Sequence, residues 1–396
     1  MKINLKLTCT LLVAVFVWAS VGMLALRSEE IFDDSDIAFI TLARTGTLQE
    51  IQNAINAGAN VNARDREGRA PLMWAAQWNS LEVTALLIEH GADVNVRSED
   101  GITPLMAAIM HNTNPAIIAL LIEHGVDVHA MDKQGRTALF ISAVHNSNPE
   151  IINMMVKNGA DVHVRTPIGI TPMMMAAFGN NPEVLTALIE HGSDVNSADE
   201  SGTTALMGAA GNNSDPKNIT VLIEHGANIN ASDEHGRTAL MYAARFITNP
   251  EVTAVLIEHG ADVNAEIQGW TILMTAAQWN NNPGITAALI EGGANVNATT
   301  RNGWTALMSA ATHNTNPEII SVLAENSADV NARDLWGRTA YVFAEQNSNP
   351  EVAAALVEHG ACTEISGTGC PCIENPLRTG LRRLFQYVQE LYETNP

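Results

Sequence analysis

Apolar positions along the chain follow one helical pattern that keeps restarting. In DEHGRTALMYAARFITNPEVTAVLIEHGADVN, residues 233–264, Leu240 and Ala243–Ala244 recur at helical spacing, and Val252, Val255, Leu256 and Ile257 do so again. The pattern predicts two short helices, ALMYAARF and PEVTAVLIEH, each burying those positions. Polar residues mark the ends. Thr238 is placed to cap the first helix, and Asn249 the second, with Pro250 at its first helical position and Glu251 complementing the dipole. Gly260 follows as a left-handed C-cap, and Asp233–Gly236 has turn chemistry.

The same unit is written many times. GADVN and its variants begin at 58, 91, 125, 159, 192, 226, 260, 293 and 327, fading to GAC at 360, so every interval is 33 or 34 residues. APLMWAA, TPLMAAI, TALMYAA and TALMSAA run in step, as does ALLIEHG. A third phrase joins the two helices: HNTNPA at 111, HNSNPE at 145 and HNTNPE at 313. Its Asn-Pro starts the second helix, and its extra residue stretches most intervals to 34.

The pattern D-x-x-G-x-T-P-L-x-x-A-A … E-V-x-x-L-L-x-x-G-A-D-V-N resembles the ankyrin repeat over roughly residues 34–361. Nine units open near Asp65, Ser98, Asp132, Thr166, Asp199, Asp233, Glu266, Thr300 and Asp334. The resemblance implies an all-α repeat solenoid: stacked helix pairs with short β-hairpin fingers, the fingers and first helices lining a concave face. Neighbouring helices pack ~8–10 Å apart, so the array should run roughly 90 Å. The expected organisation is an export segment over 1–27, a linker and N-terminal capping repeat over 28–64, nine repeats over 65–361, and a Cys-containing linker with a C-terminal capping helix over 362–396. Thr47 and Glu50 have capping-box spacing. The tail stripe Leu377, Leu381, Leu384, Phe385, Val388, Leu391 and Tyr392 suits a cap; docking on a membrane surface is the other reading.

The N-terminus stands apart. Lys2 and Lys6 precede an apolar run at residues 9–26, followed by Arg27 and an acidic cluster. This is an export signal or an uncleaved inner-membrane anchor, and either way the remainder is expected outside the inner membrane of a bacterium, in the periplasm. The formal charge of −22 disfavours nucleic acid and anionic lipid and would suit a basic protein partner. A monomer is expected, with an oligomer through a spare cysteine left open.

Candidate chemistry is sparse. No HExxH, GxSxG, phosphate-loop or dinucleotide motif is present, so neither enzyme nor cofactor is expected. Met73, Met106, Met174, Met207, Met241, Met274 and Met308 recur once per unit; packing suits that spacing, while a soft-metal site does not. His90, His124, His191, His225, His259 and His359 end second helices, where they can meet the last carbonyls. Trp270, Trp304 and Trp336 lie at or beside finger positions, with Trp279 ending a first helix and Trp78 another. Exposed tryptophans favour partner binding; rings folded onto neighbouring fingers are the alternative. His111, His145 and His313 end first helices bordering the expected groove, as partner contacts or as solvated loop residues. His111 and His145 are neighbours and His313 is five units away, so the three cannot form one site. Cys362 can pair with Cys370 or Cys372 after export. The leading expectation is a non-enzymatic protein-binding scaffold. The competing one is a redox or metal-support protein of the envelope using the cysteines and the Met and His rows.

Overall fold

A computed structural model describes residues 34–363 apart from 113, 146, 147, 180, 213 and 214. The apolar run at 9–26, the amphipathic tail, Cys370 and Cys372 lie outside the described residues. Within them, helices alternate with turns as stacked pairs, forming the all-α solenoid the sequence implies.

Most first helices start the same way, Ala70 and Thr339 being the starts without a side-chain cap. Thr103, Thr171, Thr204, Thr238, Thr271 and Thr305 are extended, and each hydroxyl accepts the N–H three residues on. That N–H belongs in every case to the buried methionine of the repeated phrase. Most second helices start on an Asn side chain and a proline, as in Asn249 ahead of Pro250–Glu258, while Ser80 and Asp215 cap two others. Leu240, Ala243 and Ala244 are buried as expected, and Met241 and Tyr242 join them. In Pro250–Glu258 the burial differs from the periodicity. Val252 and Leu256 are inside, Val255 and Ile257 are only half-buried, and Thr253 is fully buried. The second helix packs against both its partner and its neighbours, so its core stripe is rotated toward the next unit.

At the N-terminal end, Asp34–Thr45 and Leu48–Asn56 form a helix pair of the same kind. Thr47 and Glu50 make a reciprocal capping box: the Glu50 carboxylate accepts the Thr47 N–H, which holds its pKa below the usual range.

Asparagines tie unit to unit. The last residue of GADVN reaches into the next unit: the Asn230 amide donates to Gly260 O at 3.1 Å, and its oxygen accepts the Asp262 N–H at 2.8 Å. Asn62, Asn95, Asn196, Asn264, Asn297 and Asn331 do the same. Fingers are joined as well, for example Glu234 N–H to Ser201 O at 2.9 Å. Among the described residues, one finger is a regular hairpin. Strand β1 (Glu266–Ile267) pairs antiparallel with β2 (Trp270–Thr271). Gln268 and Gly269, at φ 54° and 84°, form its two-residue turn of the I′ kind. This finger is one residue shorter than its neighbours, which offsets the extra residue of the Asn-Asn-Asn-Pro turn and brings that interval back to 33. Elsewhere the finger is a turn without a ladder, apart from the single bridges Ala198–Thr204 and Ser232–Thr238.

First helices contact one another along the array more extensively than second helices do. Their row is therefore the inside of the curve, and the second helices splay on the outside.

Candidate recognition face

The repeated HNTNP word proves to be a clamp between units. In Asn314–Asn316 the first amide donates to Ala277 O and Asn280 O, both at 2.9 Å, bridging to the preceding first helix. The second amide donates to Asn281 O at 2.9 Å while its oxygen caps the second helix. Asn280 and Asn282, and Asn347 and Asn349, repeat the arrangement. The clamp pins the C-terminal ends of the first helices into one edge of the concave face.

Charge is segregated across the array. First helices from Pro71–Trp78 to Ala340–Ala344 carry no carboxylate, and Arg245 is their one Lys or Arg. Second helices carry a glutamate at most starts and nearly every end, with Lys157 and Lys217 as their bases. Of the two helix rows, the outer one is therefore the acidic one.

The concave edge is aromatic instead. Trp78, His111, Trp279 and His313 are each the last residue of an eight-residue first helix. The clamp holds successive helix ends in line, so Trp78 meets His111 one unit on, with ring centroids 4.7 Å apart and 19° between planes. Trp279 meets His313 likewise at 5.9 Å and 29°. From the preceding unit, Arg44 sets its guanidinium 5.4 Å from the Trp78 ring, and Arg245 lies 5.2 Å from the Trp279 ring. The two constellations match position for position. Trp78 and Trp279 remain about half exposed, at 46% and 52%. Partial burial holds the His111 and His313 pKa values below 6.5, and the Gln278 amide donates to His313 Nδ1 at 3.0 Å. A neutral imidazole with its proton on Nε2 fits that bond. His145 also titrates below 6.5, first through burial and then through His111 and Arg136 nearby.

The finger tryptophans divide. Trp304 donates from Nε1 to Ser309 Oγ at 2.8 Å and tilts onto Phe343 at 4.6 Å, so its ring lies on the array. Trp270, in β2, packs partly buried against the core. Trp336 points outward, 64% exposed beside Leu335 at 71%, with the Arg338 guanidinium 4.8 Å from its ring. The expected finger surface thus reduces to one exposed tip.

The other candidates are structural. The Met row is buried, from 0% at Met106, Met274 and Met308 to 8% at Met174. His90, His124, His225 and His259 donate from Nδ1 to the carbonyl four residues back at 2.8 Å, whereas His191 reaches Asn153 Oδ1 from Nε2. Among the described residues no three His, Cys, Asp or Glu side chains gather where a metal ion could be held. Cys362 is disulfide-bonded. Sequence reasoning missed Arg44 and Arg245 and the Trp–His pairing. The signal was there: each pair occupies the same position of the repeat, one unit apart.

Fold and face together define a helical-repeat solenoid with an aromatic inner edge that carries two arginines. The family of ankyrin repeats (3 copies) matches over residues 19–98, 94–166, 142–233, 173–267, 208–300 and 273–367, and the chain belongs to the ankyrin repeat family. Ankyrin repeats mediate protein–protein interaction. No curated protein matches the chain.

Proposed function

We propose that this chain is a non-enzymatic scaffold that binds a protein through its concave edge and fingers. The observation that carries the reading is the segregation of charge between the helix rows: half-exposed Trp78 and Trp279 lie on first helices free of carboxylates, whereas the second helices carry glutamates. Aromatic groups on a rigid edge are the usual anchors of a protein interface. A basic partner would meet the glutamates of the outer helices, away from these anchors. The exposed Leu335–Trp336 tip extends the candidate surface at the C-terminal end.

The place of action we propose is outside the inner membrane of a bacterium, with the chain either released into the periplasm or held by residues 9–26. The apolar run behind Lys2 and Lys6 supports this. Among the described residues no helix is long and apolar enough to cross a membrane. The redox or metal-support alternative gains no support from the buried, evenly spaced methionines.

Photo-crosslinking in living cells tests the binding reading. A crosslinker at Gln77, Met110 or Gln278 should capture a discrete protein, and one at Glu150 or Glu258 should not. Crosslinks confined to the outer helices would show the reading to be wrong.

A further inference from the structure

The concave edge carries the same constellation twice. An arginine at the next-to-last position of one first helix, a tryptophan at the last position of the following one and a histidine at the last position of the third occur as Arg44–Trp78–His111 and as Arg245–Trp279–His313. In both the tryptophan lies between the guanidinium and the imidazole and keeps about half its surface open. The intervening units place His145, Gly179, Asn212 and Phe246 at the corresponding positions, so the duplication is not a consequence of the repeat itself. Six units separate the two tryptophans, about 50–60 Å along the array at the usual helix spacing.

Resting on the protein-binding reading above, we propose that the two constellations are equivalent half-sites. They take the same determinant twice: a chain segment presenting a carboxylate beside an apolar side chain, supplied by a partner that carries two copies of it. The formal charges at the ends of the helices that build the two constellations are Arg44 and Arg245, and each guanidinium lies beside its half-exposed indole. A carboxylate can pair with the guanidinium while the adjoining apolar group covers the exposed indole. Bivalent engagement multiplies affinity only when the two copies span the separation.

The test selects peptides on the full-length protein from a library with a fixed Glu followed by an apolar residue. A selected peptide should bind with two copies per chain. Trp78→Ala and Trp279→Ala should each reduce that to one copy, and together abolish binding. Arg44→Gln and Arg245→Gln, both surface changes, should each weaken binding at one site at least 10-fold, which keeps the test meaningful if a tryptophan variant unfolds. Two copies joined by about twenty prolines, roughly 60 Å of extended spacer, should bind ~100-fold tighter than one copy, and a five-residue spacer should give no such gain. Single-copy stoichiometry on the wild type, equal affinity for the tandem and single peptides, or no enrichment from the acidic–apolar library would each overturn the proposal. Selected peptides that ignore both tryptophans would overturn the paired sites alone. Photo-crosslinks absent from the concave edge would remove the underlying binding reading.

Discussion

The Trp78 indole stacks on the His111 imidazole, one repeat further along, at 4.7 Å between centroids and 19° between planes. Neither residue sits in the other's helix or turn. The contact exists because Asn112 donates to Ala76 O and Asn79 O, which draws the two helix ends into register.

The imidazoles on this edge make stability pH-dependent. His111, His145 and His313 have folded pKa values below 6.5, so the folded chain binds fewer protons than the unfolded one in that window. Their neutral forms are the stabilised ones, and the associated stability is lost as pH falls below 6.5. Thermal melts at pH 7 and pH 5 should show a larger drop for the wild type than for His111→Gln/His145→Gln/His313→Gln. An equal drop would show that these rings are not desolvated.

The Asn clamp should matter more than the Asn cap. Asn314 is buried and its amide serves two carbonyls of the preceding unit, so Asn314→Ala should cost about 2–3 kcal/mol by leaving them unpaired. Asn249→Ala, a helix cap at the surface, should cost about 1 kcal/mol. Urea denaturation of the two variants gives the comparison, and the reverse order would contradict the clamp.

Ser327 stands where the other full GADVN units place glycine, and it adopts φ 70°. That conformation costs a residue with a Cβ roughly 1–2 kcal/mol, of which glycine gives back part in unfolded-state entropy. Ser327→Gly should therefore raise stability by about 0.5–1 kcal/mol, read from the same denaturation curves. The Asn297 amide bond to the residue's carbonyl should survive the change.

Thr253 is fully buried and its hydroxyl has no hydrogen-bond partner. Ile118, Ile152 and Ile320 fill the equivalent place in other units. Thr253→Val keeps the shape and removes the desolvated hydroxyl, and should stabilise by about 1 kcal/mol. A loss of stability in calorimetry would mean that the hydroxyl is satisfied in solution.

Asp233 holds the finger of its unit together. Burial raises its pKa, but it accepts the Arg237 N–H, the Tyr242 hydroxyl, the Arg237 side chain and the His235 N–H, and the net shift is downward from 3.8. A lowered carboxylate pKa gives stability that is present above 3.8 and lost as pH falls through the folded value. Asp233→Ala should cost about 3–5 kcal/mol near neutrality, since it strands the Arg237–Tyr242 cluster. The gap to wild type should narrow in acid, as seen by melting at pH 7 and pH 3.

Helix positions, caps and turns were legible from the sequence alone because each is set within a few residues. Thr238, Asn249, Pro250 and Gly260 act on neighbouring backbone, so their chemistry reads directly from the string. The 33- and 34-residue ruler likewise determined the stacked helix pairs, since equivalent apolar positions must face equivalent neighbours. What the string did not separate was which polar side chains reach across units. The first Asn of HNTNP is a clamp that the string does not reveal, because its partners lie more than thirty residues back in the chain. Trp304 and Trp336 occupy similar finger positions, yet Phe343 and Ser309 draw one ring down while nothing comparable covers the other. The net charge gave no hint of its own segregation. Only the stacking of first helices inside and second helices outside put the second-helix glutamates on one surface and the Arg–Trp–His edges on the other.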